Sequence, residues 1–344
     1  MTDEVTPIVS RKQEHIRINL EEDVESGLTT GFEHVHLPHE ALPELNLEEI
    51  DLSTSFMNKQ LRVPILISSM TGGTDEAHRI NRNLARAAQQ HGIAMGLGSQ
   101  RAAIERTDTA PTFQVRSEAP DILLFANLGA VQLNTGYGPK ECRQTVEMVG
   151  ADALVLHLNP LQEALQPGGD THFRGLLARI KQVCDSLDVP VIVKEVGWGI
   201  SVETARKLLA CGVNAVDVAG AGGTSWSQVE RHRAATPQDA HTASLFRAWG
   251  IPTAIAVKDI RSAFPDLPLI ASGGLRHGLH LAKALALGAD MGGFAGPMLK
   301  AAVDSSEAVS ALLTRISREL RISMFASGCA DIPSLKSKPV RMAV

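Results

Sequence analysis

The stretch HLNPLQE at residues 157–163 gathers an imidazole, two carboxamides and a carboxylate within seven residues. It overlaps the end of an apolar run, ADALVLHL (151–158), that reads as a buried strand. Polar groups clustered where a strand runs out can hold a hydrogen-bonded ligand, and the Glu163 carboxylate is the hard oxygen donor that Mg²⁺ prefers. Without its neighbours, Gln162-Glu163 would be an ordinary surface dipeptide.

Other segments carry chemistry of a related kind. SGGLR (272–276) and AGP (295–297) place glycines where backbone N–H groups can approach a phosphate, with a helix N-terminus following each. The bland alternative is a pair of tight turns. Asn127 and Lys194 also close apolar runs, and a lysine on a buried strand is costly unless it meets an anion or an electron-rich group. A structural bridge from Lys194 to Glu195 or Asp217 would also satisfy it. Near the start, RKQEH (11–15) offers three basic side chains, either for an anion or as the solvated opening of a helix.

These residues need a scaffold, and eight short apolar runs supply one: VPILISSM (63–70), GIAMGLGS (92–99), DILLFANL (121–128), ADALVLHL (151–158), VPVIVKEV (189–196), VNAVDVAG (213–220), LPLIASGG (267–274) and ADMGGFAG (289–296). They are continuously apolar, as parallel strands covered on both faces are. Helical segments lie between them, such as DEAHRINRNLARAAQQHG, which stops on Gly92, and SVETARKLLACG, which stops on Gly212. Eight strand-then-helix units predict a (β/α)₈ TIM barrel, in which ligand groups gather at the carboxyl ends of the strands.

The expected organisation is one domain over 1–344, with an N-terminal extension (1–62), the barrel (63–300) and a C-terminal helix and tail (301–344). A long insertion after strand six, GGTSWSQVERHRAATPQDAHTASLFRAWG, would be a lid or an oligomer contact. The last run, SLKSKPVRMAV, reads as a flexible or packing tail.

Composition narrows the classes. Hydrophobic residues at 44% and charged residues at 21% fit a folded globular chain rather than a disordered one. A net charge of −5 without a long basic run argues against nucleic acid as the main partner. No run reaches the roughly 18 apolar residues of a membrane span, and the start lacks an apolar signal core, so a cytoplasmic protein is expected. Cys142, Cys184, Cys211 and Cys329 stand singly without a CxxC pair, which speaks against zinc or a disulfide framework.

The motifs in their order, RKxxH (11–15), MTGG (70–73), GSQR (98–101), NPLQE (159–163), KEVGWG (194–199), GGTSW (222–226) and SGGLR with AG, make the sequence resemble the type 2 isopentenyl-diphosphate Δ-isomerases from about Arg11 to Met298. The resemblance implies an FMN-dependent barrel that converts isopentenyl diphosphate to dimethylallyl diphosphate, with Mg²⁺, NADPH as reductant, and a homotetramer or homo-octamer. By motif, Ser69, Met70, Thr71, Ser99, Asn127, Lys194 and Thr224 would line the flavin, and Gly273, Gly274, Arg276, Ala295 and Gly296 its phosphate. Arg11, Lys12, His15, Ser99, Gln100, Arg101, His157, Asn159 and Gln162 would bind the diphosphate substrate. Gln162, Glu163 and Lys194 would be catalytic, with Glu163 holding the metal. Gln13 and Glu14 depart from the family's usual acidic pattern before His15, and His280 departs after SGGLR.

Three rivals use some of the same features, and one of them, a nucleotide dehydrogenase of the related barrel type, would want a nucleophilic cysteine in a loop after a strand, which no cysteine here supplies. An FMN oxidoreductase acting on 2-hydroxy acids shares the phosphate turns and would need a histidine base after strand seven, for which His277 beside Arg276 is the candidate. A flavin carrier would bind FMN without needing Gln162, Glu163 and a cationic arm.

Overall fold

In the computed structural model, residues 7–343 are described, with side chains from residue 11 onward. Eight parallel strands close into a barrel: β1 (Ile65–Ile67), β2 (Ala94–Gly96), β3 (Leu124–Gly129), β4 (Ala153–His157), β5 (Val191–Lys194), β6 (Ala215–Asp217), β7 (Leu269–Ala271) and β8 (Met291–Phe294). Seven lie within the apolar runs, β3 overruns its own by one residue, Gly129, and β8 pairs with β1 to close the ring.

The runs are continuous in polarity but alternate in destination. Leu66, Ala94, Phe125, Val155, Ile192, Ala215, Ile270 and Met291 form one buried cluster drawn from all eight strands. Their neighbours Ile65, Ile67, Met95, Leu124, Leu154, Val191, Val193 and Leu269 pack in a second cluster with the surrounding helices. Inner and outer layers thus both demand apolar residues, which hides the period of two from the sequence. The hairpin Thr54–Phe56 and Lys59–Leu61 adds Phe56 and Leu61 to the inner cluster.

Helix α1 (Pro7–Glu21) precedes the barrel, and α2 (Asp75–His91) follows β1. Thr74 caps α2 by accepting from Ala77 N–H, and Gly92 ends it in the left-handed region at φ +61°. The short α3 (Pro160–Leu165) begins directly after β4, with Pro160 at its first position. The insertion after β6 is helical rather than a polar loop, forming α4 (Trp226–Arg233) and α5 (Pro237–Leu245). Helices α6 (Gly278–Ala286) and α7 (Gly296–Asp304) follow β7 and β8.

The C-terminal run packs. Helix α8 (Ser306–Ala326) buries Val309, Leu313, Ile316 and Leu320, and Lys336 forms an ion pair with Asp290. Arg341–Met342 then adds an antiparallel bridge to Val35–His36. No helix of the described residues is long and apolar enough to cross a membrane.

Candidate active site

Two residues beyond the apolar inner layer, the same inward-facing parity brings up Ser68, Asn127, His157, Lys194, Asp217, Ser272 and Gly293. Strand register sets His157 level with Lys194, and Lys194 level with Asp217, across β4, β5 and β6. All but Asp217 line a cavity of about 730 Å³ at the carboxyl end of the barrel. This lies within the roughly 300–1,000 Å³ range of small-molecule clefts.

One wall of that cavity is α1. Arg11, Lys12, His15, Ile16 and Asn19 recur at helical spacing and line it as a single stripe. Lys12 Nζ donates to the Ser99 carbonyl at 2.7 Å and sits 4.8 Å from the Phe113 ring centroid. Burial, with Arg11 adding repulsion, pushes its ammonium down to about 7. Burial likewise lowers Arg11, opposed by the nearby Glu163 charge.

His15 Nε2 stands 3.3 Å from Glu230 Oε1 on α4, and its ring packs edge-on against Trp226 at 5.0 Å. Burial lowers the His15 pKa more than Glu230 raises it. Glu230 is itself fully enclosed. Burial favours its neutral form, but His15, Arg233 and Gln162 together hold it below the usual carboxylate range. Arg233 joins this group to Glu14, at 2.9 Å, so the departure from the family pattern at Glu14 is filled by an ion pair.

The NPLQE turn is held by a dense set of hydrogen bonds. Pro160 starts α3, so Gln162 and Glu163 fall in its first turn, where the positive end of the helix dipole favours a carboxylate. Gln162 Nε2 donates to Glu230 Oε1 at 3.1 Å, and its oxygen accepts from Asn159 Nδ2 at 3.2 Å. Glu163 Oε1 accepts from Asn159 Nδ2 at 2.9 Å, while Oε2 accepts from Asp170 N–H at 2.7 Å and from Gln166 Nε2. Asn159 Oδ1 is buried without a partner. His157 Nδ1 shares a 2.9 Å hydrogen bond with Asn127 Oδ1; burial, then Lys194 and Lys12, push it down to about 3, so the ring is neutral.

Lys194 forms no ion pair with Glu195 or Asp217; its Nζ donates to the Glu195 carbonyl at 2.6 Å. The Glu195 carboxylate instead gathers the N–H groups of Val196, Gly197, Trp198 and Gly199, the first three at 2.6–2.7 Å. Burial still pushes Glu195 up to about 7. Asp217 is also raised by burial; it accepts from Ser272 Oγ at 2.6 Å, and its Oδ2 has no partner.

The opposite wall is rich in glycine, with Leu275, Arg276, Leu299, Lys300 and Arg315 around it. Gly273 and Gly274 have φ of +102° and +79°, and a Cβ on either would lie 2.1 Å from Gly220 O or 2.4 Å from Gly222 O. Only glycine permits both the left-handed turn and this closeness to the loop after β6. A Cβ at Gly296, the first residue of α7, would meet nothing within 4 Å, so the cavity is open beside this helix start. Arg276 pairs with Glu25 at 2.8 Å on the rim.

Of the residues expected from sequence, the cavity brings together Arg11, Lys12, His15, Ser69, Met70, Thr71, Ser99, Arg101, Asn127, His157, Asn159, Gln162, Glu163, Lys194, Thr224, Gly273, Gly274, Arg276, Ala295 and Gly296. Gln100 is not among them. Its side chain is buried behind the wall, donating to Thr145 O at 2.9 Å and accepting from Asn127 N–H at 3.1 Å, so it pins the end of β2 to β3. His277 does not line the cavity either; it caps α6 by accepting from His280 N–H at 3.2 Å. Sequence reasoning misses Trp226, which lines the cavity, and Glu230 and Asp170, which bond its lining residues, because nothing in a long polar insertion or in a PGGD turn marks which side chain will meet the site.

A barrel with a glycine-built anion cradle at β7 and β8 and a lysine at the end of β5 is a flavin-type barrel, and the FMN-dependent dehydrogenase family matches residues 145–342. The fold extends to solved oxidases of low identity: a putative lactate oxidase from Pediococcus acidilactici (TM-score 0.65, 18% identity, 99% of this chain and 88% of that one) and a mandelate oxidase (TM-score 0.63, 18% identity, 96% and 91%). Much nearer are proteins named isopentenyl-diphosphate delta-isomerase. Those of Nostoc sp. and Rickettsia bellii are each 53% identical, covering 95% and 97% of this chain and 94% and 98% of their own. That of Synechococcus sp. is 54% identical over 95% of this chain and 94% of its own. The chain belongs to the type 2 isopentenyl-diphosphate Δ-isomerase family, and it is an enzyme.

Proposed function

We propose that this enzyme converts isopentenyl diphosphate to dimethylallyl diphosphate, with FMN along the glycine wall and the diphosphate against α1, β2 and α3. The observation that carries the reading is that one cavity has a glycine-lined end and, apart from it, a cluster of cationic side chains. A glycine cradle lies at Gly273, Gly274 and Gly296, and a side-chain cluster of Arg11, Lys12 and Arg101 lies beside Glu163. A 2-hydroxy-acid oxidase would need a histidine base with nearby arginines after β7, and His277 there is spent on capping a helix.

The residues fit FMN. The cradle is the usual phosphate site of such barrels, and Lys194, without an ion pair, suits the electron-rich end of a flavin ring. They also suit a divalent ion, though not as a cage. No group of three or more His, Cys, Asp or Glu among the described residues could hold a metal by itself. Glu163, with the unpartnered Asn159 Oδ1 nearby, offers hard oxygens, and Mg²⁺ commonly takes its remaining ligands from substrate phosphate and water.

Moving a double bond along an allylic unit requires one proton to be added and another removed at carbons that ordinary side chains reach only weakly. Reduced FMN, for which NADPH is the proposed reductant, would supply an electron-rich ring with a nitrogen able to carry a proton. The protein's own groups do the rest. Arg11, Lys12 and Arg101 bind the diphosphate charge, and neutral His157 and Asn159 donate or accept hydrogen bonds without adding charge. Gln162, held at both ends of its amide by Asn159 and Glu230, keeps one orientation toward the cavity. Lys194 stabilises negative charge at the centre of the floor.

The test is an anaerobic incubation of protein, FMN, reductant, Mg²⁺ and isopentenyl diphosphate in D₂O, followed by proton NMR. Dimethylallyl diphosphate with deuterium incorporated, formed only when the flavin is reduced, is the expected result. Bound FMN without product or exchange would sink the isomerase reading and bring 2-hydroxy acids forward.

A further inference from the structure

Asp170 has no role in the reading above, yet it touches two residues that do. After α3 the chain turns back through Gly168, at φ +67°. Gly169 then passes so close to α3 that a Cβ there would lie 1.9 Å from the Glu163 carbonyl oxygen. No other residue allows that approach without displacing the turn. The approach delivers the Asp170 N–H to Glu163 Oε2 at 2.7 Å.

The Asp170 side chain serves a different partner. Its Oδ2 accepts from Arg101 Nη1 at 2.9 Å and from Gln132 Nε2 at 3.4 Å. Arg101 Nε also donates to Glu105 Oε1 at 2.7 Å, so two carboxylates on different segments fix the plane of the guanidinium. Arg101 follows β2 and Glu163 follows β4, and Asp170 is the residue bonded to both.

We propose that Asp170 is a positioning residue that sets the spacing between the Glu163 carboxylate and the Arg101 guanidinium, so that one diphosphate with its divalent ion engages both at once. This rests on the diphosphate reading of the cavity. A free arginine side chain must be ordered when ligand binds, and that cost is subtracted from affinity; holding it beforehand removes the cost. The effect falls on substrate and product alike, hence on KM rather than kcat.

The experiment uses the FMN-loaded protein and titrates inorganic pyrophosphate with Mg²⁺ by calorimetry, alongside steady-state kinetics on isopentenyl diphosphate. Asp170→Ala is expected to raise the pyrophosphate Kd and the KM by about tenfold, with kcat within about twofold. Asp170→Asn, which keeps an acceptor for Arg101 but not the charge, falls between the two. On an Arg101→Ala background Asp170→Ala adds nothing further, because its partner is gone. A Kd within twofold of the parent, or an undiminished penalty on the Arg101→Ala background, overturns the assignment. Flavin absorbance and thermal midpoint check folding; should the alanine variant lose either, the asparagine variant decides by the same two comparisons. A parent protein that binds no pyrophosphate with Mg²⁺ overturns the diphosphate reading itself, and this inference with it.

Discussion

At the β7–β8 end the cavity is lined chiefly by glycines, Gly273, Gly274 and Gly296, with Arg276, Lys300 and Arg315 around them. At the β4 end it is lined by side chains, contributed by α1, the β2 turn, α3 and α4, and several of their bonds run from one segment to another. The first arrangement depends on local φ angles and close approach, so a few glycines specify it. The second depends on four stretches of chain arriving together, so it is where one barrel enzyme differs from another. The low-identity oxidases share the overall barrel with this chain, whereas the isomerase relatives share half of all its residues.

The sharpest way to break this contrast is Glu163→Gln. It keeps the shape but would weaken the proposed ion site, and turnover should fall by about 100-fold or more while FMN stays bound. Kinetics and flavin absorbance read the two effects separately, and loss of flavin would move Glu163 to the other end of the cavity. Gly274→Ala attacks the glycine end. A left-handed φ with a Cβ 2.4 Å from Gly222 O imposes strain of about 1–3 kcal/mol. FMN affinity, followed by fluorescence, should drop by about tenfold or more.

Lys12 gives a pH test of the side-chain end. Its pKa in the folded protein lies at about 7, below the ordinary 10.5, so its charge is present below about pH 7 and lost above it. Pyrophosphate affinity should therefore weaken as pH rises past 7, by at most about tenfold per unit, and Lys12→Arg should flatten that dependence. Stability of the free protein runs the other way. Between about 7 and 10.5 the unfolded chain binds one more proton than the folded one, so this group's contribution rises with pH in that window. The smallest effect is expected at the rim, where Glu25→Ala frees an exposed Arg276 and should change FMN affinity by less than about twofold.

Much of the fold was legible because strand-and-helix units repeat. The eight runs, the stops at Gly92 and Gly212 and the glycine turns each follow from short-range rules, and a barrel strand falls on each of the eight runs. The site was legible as far as its residues sit within two or three positions of a strand end. Gln100 shows where that rule fails: it neighbours Ser99 and Arg101, which both line the cavity, but the turn of the chain sends its side chain into the wall beside Thr145. Glu230 shows the opposite failure. It lies 68 residues from Gln162 in a segment with no distinguishing pattern, and only the packing of α4 against α1 and α3 buries it there.

The sequence by itself determined the barrel, the order of its ligand-bearing strand ends and the glycine cradle, because apolar period, capping and φ > 0 are properties of neighbouring residues. Tertiary structure decided which charges meet. Whether Lys12 is half-neutral near pH 7, whether Glu230 keeps its charge when enclosed, and whether Asp170 joins Arg101 to Glu163 depend on burial and on partners tens of residues away. Electrostatic energy depends on distance and dielectric surroundings, and those quantities exist only once the chain has folded.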